Sequence, residues 1–300
     1  MMVKSVAQYQ EMINDYLAHH LHDDVDESTL FSSMNYSLMA GGKRLRPALT
    51  LAVVEMTGGV ITADCLQAAC ALELLHTYSL IHDDLPAMDN DNLRRGKATN
   101  HVRFGAGMAT LAGDGLLTLA FQWVSDNGLP SAVRAELTRQ LSLAAGPSGM
   151  VAGQARDILG EQRNLDLPAL RYLHRQKTGA LLQYAVKAGG ILTRQSEPVI
   201  EQLARFGAQY GLAFQIYDDI LDVTASAAQL GKATHKDAGE HKNTYPGLLG
   251  LTGAQEQLAA TVAAARQTQQ RLSQMTGHSF DGFSQFLAYF KISSNVEEKH

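Results

Sequence analysis

The stretch from Leu66 to Asp84, LQAACALELLHTYSLIHDD, is a long apolar run that ends in two adjacent aspartates. Its apolar side chains recur at helical spacing within a longer periodic segment, 63–84. The same periodicity covers most of the remaining chain, at roughly 5–19, 46–57, 106–126, 131–145, 168–190, 198–222 and 254–275. Because hardly any segment alternates with a period of two, we predict an all-α protein without a convincing sheet.

These helices are predicted to form a single bundle. No linker rich in proline, glycine or serine divides the 300 residues, and there is no tandem repeat. Hydrophobic residues make up 45% of the chain and charged residues 18%, so the chain has enough apolar surface for a large core. We therefore expect one domain over residues 1–300.

Charge and hydropathy exclude several partners. The formal net charge of −5 gives no reason to expect nucleic acid, which selects basic surfaces. No apolar run reaches the ~18 residues of a transmembrane helix, and the first residues lack a signal-peptide core. A cytoplasmic protein without stable membrane insertion is expected. Cys65 and Cys70 lie on different helical faces, so we expect both side chains to be buried as small hydrophobic groups and not to form a disulfide or a metal site.

The two aspartates that end the opening stretch belong to a larger acidic cluster. Pro86 disfavours helical geometry at Leu85, so Asp89 is expected to approach Asp83 and Asp84 from a turn. One acidic cluster at a helix end is as readily a solvated terminus as a site. Like charges beside the negative end of a helix dipole are nevertheless unfavourable without a cation.

A second acidic cluster, YDDILD, follows the apolar run FGAQYGLAFQI. On a helix, Asp218 and Asp222 are ~40° apart, and Asp219 and Asp222 ~60° apart, so the three carboxylates face one side. Two clusters that each close an apolar helix favour a cation over two solvated termini. Carboxylate ligands favour Mg²⁺, which takes further ligands from phosphate when few carboxylates hold it. A phosphorylated substrate is therefore predicted.

Cationic residues accompany both clusters. Each alone is more readily a solvated surface charge, but arginines beside metal-bound carboxylates form a clamp for phosphate. The candidates are Lys43, Arg46, Arg94, Arg95, Lys177, Lys232 and Lys242. There is neither a G-x-x-x-x-G-K-[ST] phosphate loop nor a G-x-G-x-x-G fingerprint, so ATP and NAD chemistry are not indicated. The polar segment 225–246 is either a functional loop or a plain surface loop.

Taken together, these motifs resemble those of the trans-isoprenyl diphosphate synthases, and within that family the bacterial farnesyl diphosphate synthases. The resemblance covers nearly the full chain and is carried by GGKRLRP, LIHDDLPAMDNDNLRRGKATNH, GDGLL, GQARD, QKTGALL, FQIYDDILD, LGK and KNTYPGLLG. It implies an all-α fold around a deep central cavity and usually a homodimer. It also implies head-to-tail condensation of isopentenyl diphosphate with an allylic diphosphate, with three Mg²⁺ ions, for which Mn²⁺ is a possible substitute.

The resemblance assigns roles to the matching positions. An allylic diphosphate is expected to bind through Mg²⁺ to Asp83, Asp89 and Asp218, with Asp84, Asp219 and Asp222 either as further metal ligands or as residues that support the ligands. Arg94, Lys177 and Lys242 are expected to contact its phosphate oxygens and to help it leave. Lys232, in the same loop as Lys242, also matches the family pattern.

The resemblance also implies a second diphosphate site. Thr178 and Gln215 would stabilise the allylic carbocation, and the released diphosphate would take the final proton. Isopentenyl diphosphate, which needs no metal, would bind Gly42, Lys43, Arg46, His76 and Arg95. A lone histidine in an apolar helix is usually a core residue, but His76 lies only ~20° from Asp83 on the helix and faces the same mouth. His82 is given no role.

The resemblance implies that product length depends on Tyr78 and Ser79, five and four residues before the first aspartate pair. A bulky aromatic there closes the cavity, so Tyr78 favours the fifteen-carbon farnesyl diphosphate, made from dimethylallyl and geranyl diphosphates. Helical geometry alone does not select Tyr78, which is ~140° from Asp83, and ordinary packing is the alternative.

His235 and His241 replace common glycines in a loop that is expected to close over the site.

Three alternatives remain: a geranylgeranyl diphosphate synthase, a class I terpene cyclase and an inactive regulatory subunit of a prenyl synthase. A geranylgeranyl diphosphate synthase differs from a farnesyl diphosphate synthase only in the length of its product. A cyclase needs no second diphosphate pocket of the kind that Lys43, Arg46 and Arg95 supply. A regulatory subunit is expected to lose one aspartate motif, whereas this chain has both.

Overall fold

The structure is a computed structural model that describes residues 3–160, 163–224 and 243–290. Helices dominate these residues, which confirms the all-α prediction. The helices are α1 Val6–His20, α2 Ser28–Leu38, α3 Leu45–Met56, α4 Ala63–Asp83, α5 Asn100–Phe104, α6 Ala106–Ser125, α7 Ser131–Ala145, α8 Met150–Gly160, α9 Leu167–His174, α10 Ala180–Leu192, α11 Glu197–Thr224, α12 Tyr245–Thr276 and α13 Phe283–Leu287.

Differences from the predicted helices are local. Four shorter helices, α2, α5, α8 and α13, lie outside the predicted segments, because few turns give a weak periodic signal. A π-helical turn, Arg175–Gly179, separates α9 from α10 within the predicted segment 168–190. A 3₁₀ helix, Leu21–Asp24, follows α1. The helix predicted at 254–275 begins earlier, and it is kinked at Gly250, where φ is 70°.

A short antiparallel hairpin interrupts the helices after α4. Its strands are β1, Leu93–Arg94, and β2, Lys97–Ala98, with Leu93 paired to Ala98. Arg95 and Gly96 between them both have positive φ, as a two-residue type I′ turn requires. Strands of two residues are too short for alternation to reveal them, and the hairpin is absent from the prediction.

The apolar stretch from Leu66 to Asp84 forms most of α4, and the buried residues of this helix point in all directions. The helix begins at the side chain of Thr62, which accepts a hydrogen bond from the backbone N–H of Cys65 at 3.2 Å. Its buried side chains pack mainly against α3 and α6. A helix that is apolar all round is stable only in a protein interior. It ends at Asp83, three residues before Pro86, as predicted.

The other long helices extend the core from α4. α10 packs against α3 and α11, and α11 packs against α12. One cluster of buried apolar side chains runs from Tyr9 in α1 to Phe290 after α13. Cys65 and Cys70 belong to the buried part and carry free thiols, as predicted. The assignment of residues 1–300 to one domain stays a prediction.

Among the described helices, none is long and apolar enough to cross a membrane.

Candidate active site

The first acidic cluster lies where α4 ends. Asp83 is the last residue of α4, and the chain then turns so that the backbone N–H of Asp89 donates to the Asp83 carbonyl oxygen at 2.9 Å. Asn90, with a φ of 51°, adopts the left-handed conformation immediately after this turn. The prediction that Asp89 approaches the aspartate pair from a turn is confirmed.

Asp83 lies in surroundings that disfavour its charge. Burial raises the pKa of the Asp83 carboxyl to about 6. The Lys177 ammonium opposes this shift, whereas the neighbouring Asp89 carboxylate adds to it. Ionised Asp83 is therefore poorly compensated by the protein alone, and a bound cation would stabilise it.

Asp84, which is 3% exposed, is held by Arg94. Nε of Arg94 donates to both carboxylate oxygens, at 2.8 and 2.9 Å, and Nη2 donates to Oδ1 at 2.6 Å. Burial raises the pKa of Asp84, although the arginine opposes the shift. Because Arg94 belongs to β1, the hairpin carries its guanidinium to the end of α4. Asp84 is thus placed to orient an arginine as well as to lie near a metal.

The second acidic cluster lies near the end of α11. Asp219 is buried, and its Oδ1 accepts a hydrogen bond from Nε2 of Gln215 at 2.9 Å. Its Oδ2 accepts one from the backbone N–H of Tyr245, also at 2.9 Å, which joins α11 to the first residue of α12. Asp222 is 5% exposed, and its Oδ2 has no hydrogen-bond partner within the described part of the chain. A buried carboxylate oxygen without a donor is unfavourable unless a cation compensates it.

The donor atoms of both clusters fit a hard divalent cation. No group of three or more His, Cys, Asp or Glu side chains in the three described ranges is arranged to hold a metal ion. Mg²⁺ is commonly bound through one or two carboxylates, with water and phosphate as the other ligands. The raised pKa of Asp83 and the unpartnered Oδ2 of Asp222 therefore fit Mg²⁺ that binds together with a phosphorylated ligand.

Thr178 and Gln215 are brought together as the sequence predicts. Thr178 lies in the π-helical turn, and its Oγ1 donates to Oε1 of Gln215 at 3.0 Å. With the bond to Asp219, these residues form one hydrogen-bonded row from the π-helical turn to α11. The row fixes the amide of Gln215, with its NH₂ towards the carboxylate and its oxygen towards the hydroxyl.

The π-helical turn also carries Lys177, which forms an ion pair with Asp157 of α8. α8 approaches the π-helical turn closely at Gly153, where a Cβ would lie well under 3.0 Å from the backbone of Lys177. π turns inserted into α-helices are frequent at functional sites. Asp157 is absent from the predicted site, although the motif GQARD that contains it was available as a signal.

A group of cations surrounds the start of α3. Arg95 donates to the carbonyl of Gly41, and a Cβ at Gly42 would lie 2.6 Å from the Arg95 guanidinium. Burial, together with nearby Arg95, lowers the pKa of Arg46 to about 10. Burial and then the charges of Arg46 and Arg95 lower the pKa of His76 well below its usual range, so His76 is neutral at pH 7. Such a cluster of like charges attracts an anion.

Arg44 is a further member of this region that is absent from the predicted site. Its buried guanidinium donates to Oε1 of Glu73 at 2.8 Å, to the carbonyl of Leu38 at 2.6 Å and to Oδ1 of Asn14 at 2.9 Å. These partners belong to α4, α2 and α1. Arg44 therefore anchors the segment GGKRLRP to three helices.

Lys43 reaches towards the second acidic cluster. Its ammonium group donates to the hydroxyl of Tyr289 and lies 4.2 Å from the centroid of that ring. Burial and the nearby Asp218 carboxylate raise the pKa of Tyr289. Tyr289 thus lies close to both the Lys43 ammonium and the Asp218 carboxylate. It is absent from the predicted site, and no motif in its stretch of sequence marks it.

Tyr78 and Ser79 lie in the last turns of α4. Tyr78 is buried, and burial with a smaller effect of Asp83 raises its pKa. Oγ of Ser79 donates to the carbonyl of His76 at 2.8 Å, so this hydroxyl is used within its own helix. The role of either residue in product length stays a prediction.

The predicted loop residues lie outside the described residues. They are Lys232, His235, His241 and Lys242. Asn243, the first described residue after them, is anchored to the connection between α8 and α9. Its Nδ2 donates to the carbonyls of Gly160 and Arg163, at 3.1 and 2.9 Å.

Comparison with known proteins identifies a family and several similar proteins. The sequence profile of the polyprenyl synthetase family matches residues 27–277. A farnesyl diphosphate synthase of Geobacillus stearothermophilus is 48% identical over 262 residues, which are 86% of this chain and 88% of that protein. A chloroplastic geranylgeranyl pyrophosphate synthase of Arabidopsis thaliana is 47% identical over 234 residues, 76% of this chain and 65% of that protein.

A solved structure shares the fold over nearly the full length. It is the geranyltransferase from Helicobacter pylori complexed with magnesium and isoprenyl diphosphate. Its TM-score is 0.85 at 32% identity, and the match covers 96% of this chain and 98% of the other.

Proposed function

Because the chain belongs to the polyprenyl synthetase family, we propose that it condenses isopentenyl diphosphate head-to-tail with dimethylallyl and then geranyl diphosphate. The products are farnesyl diphosphate and inorganic diphosphate. The protein is a prenyltransferase, as its most similar relatives are by name.

One observation carries this proposal: the site combines two chemically different environments for diphosphate. Burial disfavours the charge of Asp83, and Oδ2 of Asp222 has no hydrogen-bond partner among the described residues, which suits a diphosphate bound through metal. Arg46 and Arg95 form a cationic cluster, which suits a diphosphate without metal. Two diphosphates bound side by side are what a condensation of two prenyl diphosphates requires.

Within this proposal, Asp83, Asp89, Asp218 and Asp222 would hold Mg²⁺, which when bound would supply positive charge that makes the diphosphate a better leaving group. Both oxygens of Asp84 and of Asp219 already accept hydrogen bonds from protein donors. These two residues therefore orient Arg94 and Gln215. Three Mg²⁺ ions, and Mn²⁺ as a substitute, are part of the proposal.

The side chains of the chain itself provide the rest of the ionisation step. Arg94 and Lys177 donate to phosphate oxygens as negative charge develops there, a form of stabilisation by groups fixed in advance. The hydroxyl oxygen of Thr178 and the amide oxygen of Gln215 present partial negative charge to the allylic cation. Lys232 and Lys242 complete the phosphate contacts in our proposal.

Isopentenyl diphosphate binds Lys43, Arg46 and Arg95 in this scheme. Gly42 lies beside them, and its lack of a side chain leaves room for the Arg95 guanidinium. His76, which is neutral at pH 7, acts as a hydrogen-bonding group rather than a cation. The double bond of isopentenyl diphosphate attacks the allylic cation, and the departing diphosphate accepts the proton that is lost. No side-chain nucleophile takes part.

The fifteen-carbon product rests on Tyr78 and on the closer relatives. A geranylgeranyl diphosphate synthase is the alternative, and a relative with that name from Capsicum annuum is 43% identical over 87% of this chain. We also propose that the protein is a homodimer in the cytoplasm, as the family resemblance implies. No nucleic acid takes part.

The test is product analysis with the purified protein. Isopentenyl diphosphate and Mg²⁺ are incubated with dimethylallyl or geranyl diphosphate, and the products are dephosphorylated and identified as alcohols. Farnesol is expected with either primer, and no product is expected after metal chelation. Geranylgeraniol as the main alcohol would support the alternative, and no alcohol with any primer would refute the proposed reaction.

A further inference from the structure

His82, for which the sequence predicts no role, is held between α4 and α6. Its Nε2 lies 3.1 Å from the carbonyl oxygen of Thr110 and 3.6 Å from Oδ1 of Asp114. A carbonyl oxygen only accepts, so Nε2 carries the proton and donates it to Thr110. The imidazole is therefore held in one orientation against α6.

Gly113 provides the space that this imidazole occupies. A Cβ at position 113 would lie well under 3.0 Å from both Nε2 and Cδ2 of His82. The backbone of Gly113 is not in the left-handed region, so the glycine is required by packing and not by conformation. Any side chain here would displace the imidazole from Thr110.

The imidazole also contacts Tyr78, one helical turn earlier on α4. The two ring centroids are 5.5 Å apart, and the ring planes are perpendicular, which is a favourable edge-to-face arrangement. Tyr78 is only 7% exposed. A fixed imidazole therefore restricts the rotation of the Tyr78 ring.

From these contacts we propose that His82 and Gly113 are positioning residues for product length. Gly113 makes room for the imidazole, Thr110 fixes it, and the imidazole keeps the Tyr78 ring across the end of the prenyl cavity. The inference rests on the proposed function, because it takes Tyr78 as the group that stops chain growth. On this view the size of Tyr78 is not sufficient, and its ring must also be held.

The test compares products of His82→Ala and Gly113→Ala with those of the unaltered protein, using geranyl diphosphate and excess isopentenyl diphosphate. Both variants are expected to raise the ratio of twenty-carbon to fifteen-carbon product about tenfold, a size typical of one or two methylenes in a pocket. Turnover of dimethylallyl diphosphate to the ten-carbon product should remain unchanged. A merely structural defect would lower both condensations and leave the ratio constant.

Gly107→Ala is the matched control, because Gly107 lies in the same helix and a Cβ there meets no atom within 4 Å. It should leave the product ratio unchanged. In the double variant His82→Ala/Gly113→Ala, the second substitution should add nothing, because the imidazole that it displaces is already gone.

His82→Ala only removes atoms, so it decides the question even where Gly113→Ala does not fold. The inference is overturned if His82→Ala keeps the strict fifteen-carbon product, or if the two substitutions act additively. Absence of any prenyl product from the unaltered protein would instead remove the proposed function.

Discussion

Three carboxylates of the candidate site are paired with other side chains. Asp84 and Asp219 are buried and Asp157 is partly buried, and burial makes an unpaired charge costly. The pairs hold predicted functional side chains in place: Asp84 with Arg94, Asp157 with Lys177, and Asp219 with Gln215. In our proposal these carboxylates position the side chains that contact the substrate.

Replacing Tyr78 by alanine is expected to lengthen the product. The substitution removes a buried phenol ring near the end of α4, which in our proposal closes the prenyl cavity. Products from geranyl diphosphate, measured as alcohols, should shift from fifteen to twenty or more carbons. Tyr78→Phe keeps the ring and should keep the length. An unchanged product from Tyr78→Ala would exclude Tyr78 from this role.

Asp157→Asn is expected to lower kcat/KM for the allylic substrate by roughly tenfold to a hundredfold, the range for a charge-assisted hydrogen bond. The neutral amide would hold the Lys177 ammonium less strongly than the carboxylate does, and in our proposal this ammonium contacts the departing diphosphate. Steady-state kinetics give the measurement. Glu136→Gln is the control, because it removes an ion pair with exposed Arg139 away from the site. Equal kinetics of Asp157→Asn and the unaltered protein would contradict this positioning.

Three elements deliver side chains that a regular helix would misplace. The hairpin β1–β2 brings Arg94 to the end of α4, and the π-helical turn presents Lys177 and Thr178 together. The start of α12 is tied to α11 by Asp219. Each of these three local structures is short, and contacts with neighbouring helices determine its conformation more than its own sequence does.

The end of α9 is expected to make the fold sensitive to acid. His174 packs on the ring of Tyr245 with centroids 5.7 Å apart, and burial lowers the pKa of His174 to about 4. In the unfolded chain its pKa is about 6.5, so the unfolded state binds the proton first. Its contribution is present above about pH 6.5 and is lost as the pH falls towards 4. Between pH 7 and 5 the loss is about 2 kcal/mol.

Urea denaturation at pH 7 and pH 5 measures this effect. His174→Gln cannot titrate and should lose less stability than the unaltered protein over the same interval. His19→Gln, which removes an exposed histidine of α1, should behave like the unaltered protein. Identical pH dependence in His174→Gln would show that this histidine is not the sensitive group.

The two acidic clusters lie near the ends of α4 and α11, far apart in the chain, and the π-helical turn lies near both, with Lys177 close to Asp83 and Thr178 bonded to Gln215. Asp218 and Lys43 both lie near Tyr289, which connects the acidic and cationic groups. The candidate site therefore combines elements from the first, middle and last thirds of the chain.

Mg²⁺ and inorganic diphosphate together are expected to raise the thermal unfolding temperature by several degrees. A ligand at a hundredfold excess over its Kd stabilises the folded state by about 2.7 kcal/mol. Either component alone should do much less, because metal and phosphate complete each other's ligands. Differential scanning calorimetry gives the shift. Asp83→Asn should weaken it, whereas Asp15→Asn on the exposed side of α1 should not. A full shift with Mg²⁺ alone would contradict a shared site.

Periodicity and the proline after the first acidic motif are local properties, and they are sufficient to predict the helical fold and the end of α4, whereas most candidate site residues follow from the family resemblance. The residues missed are those defined by distant partners, such as Arg44 with Glu73, Tyr289 with Lys43, and His82 with Gly113. A helical wheel gives the direction of a side chain but neither its depth nor its neighbour. Packing between helices decides both, because close contact and burial depend on segments that the local sequence does not contain.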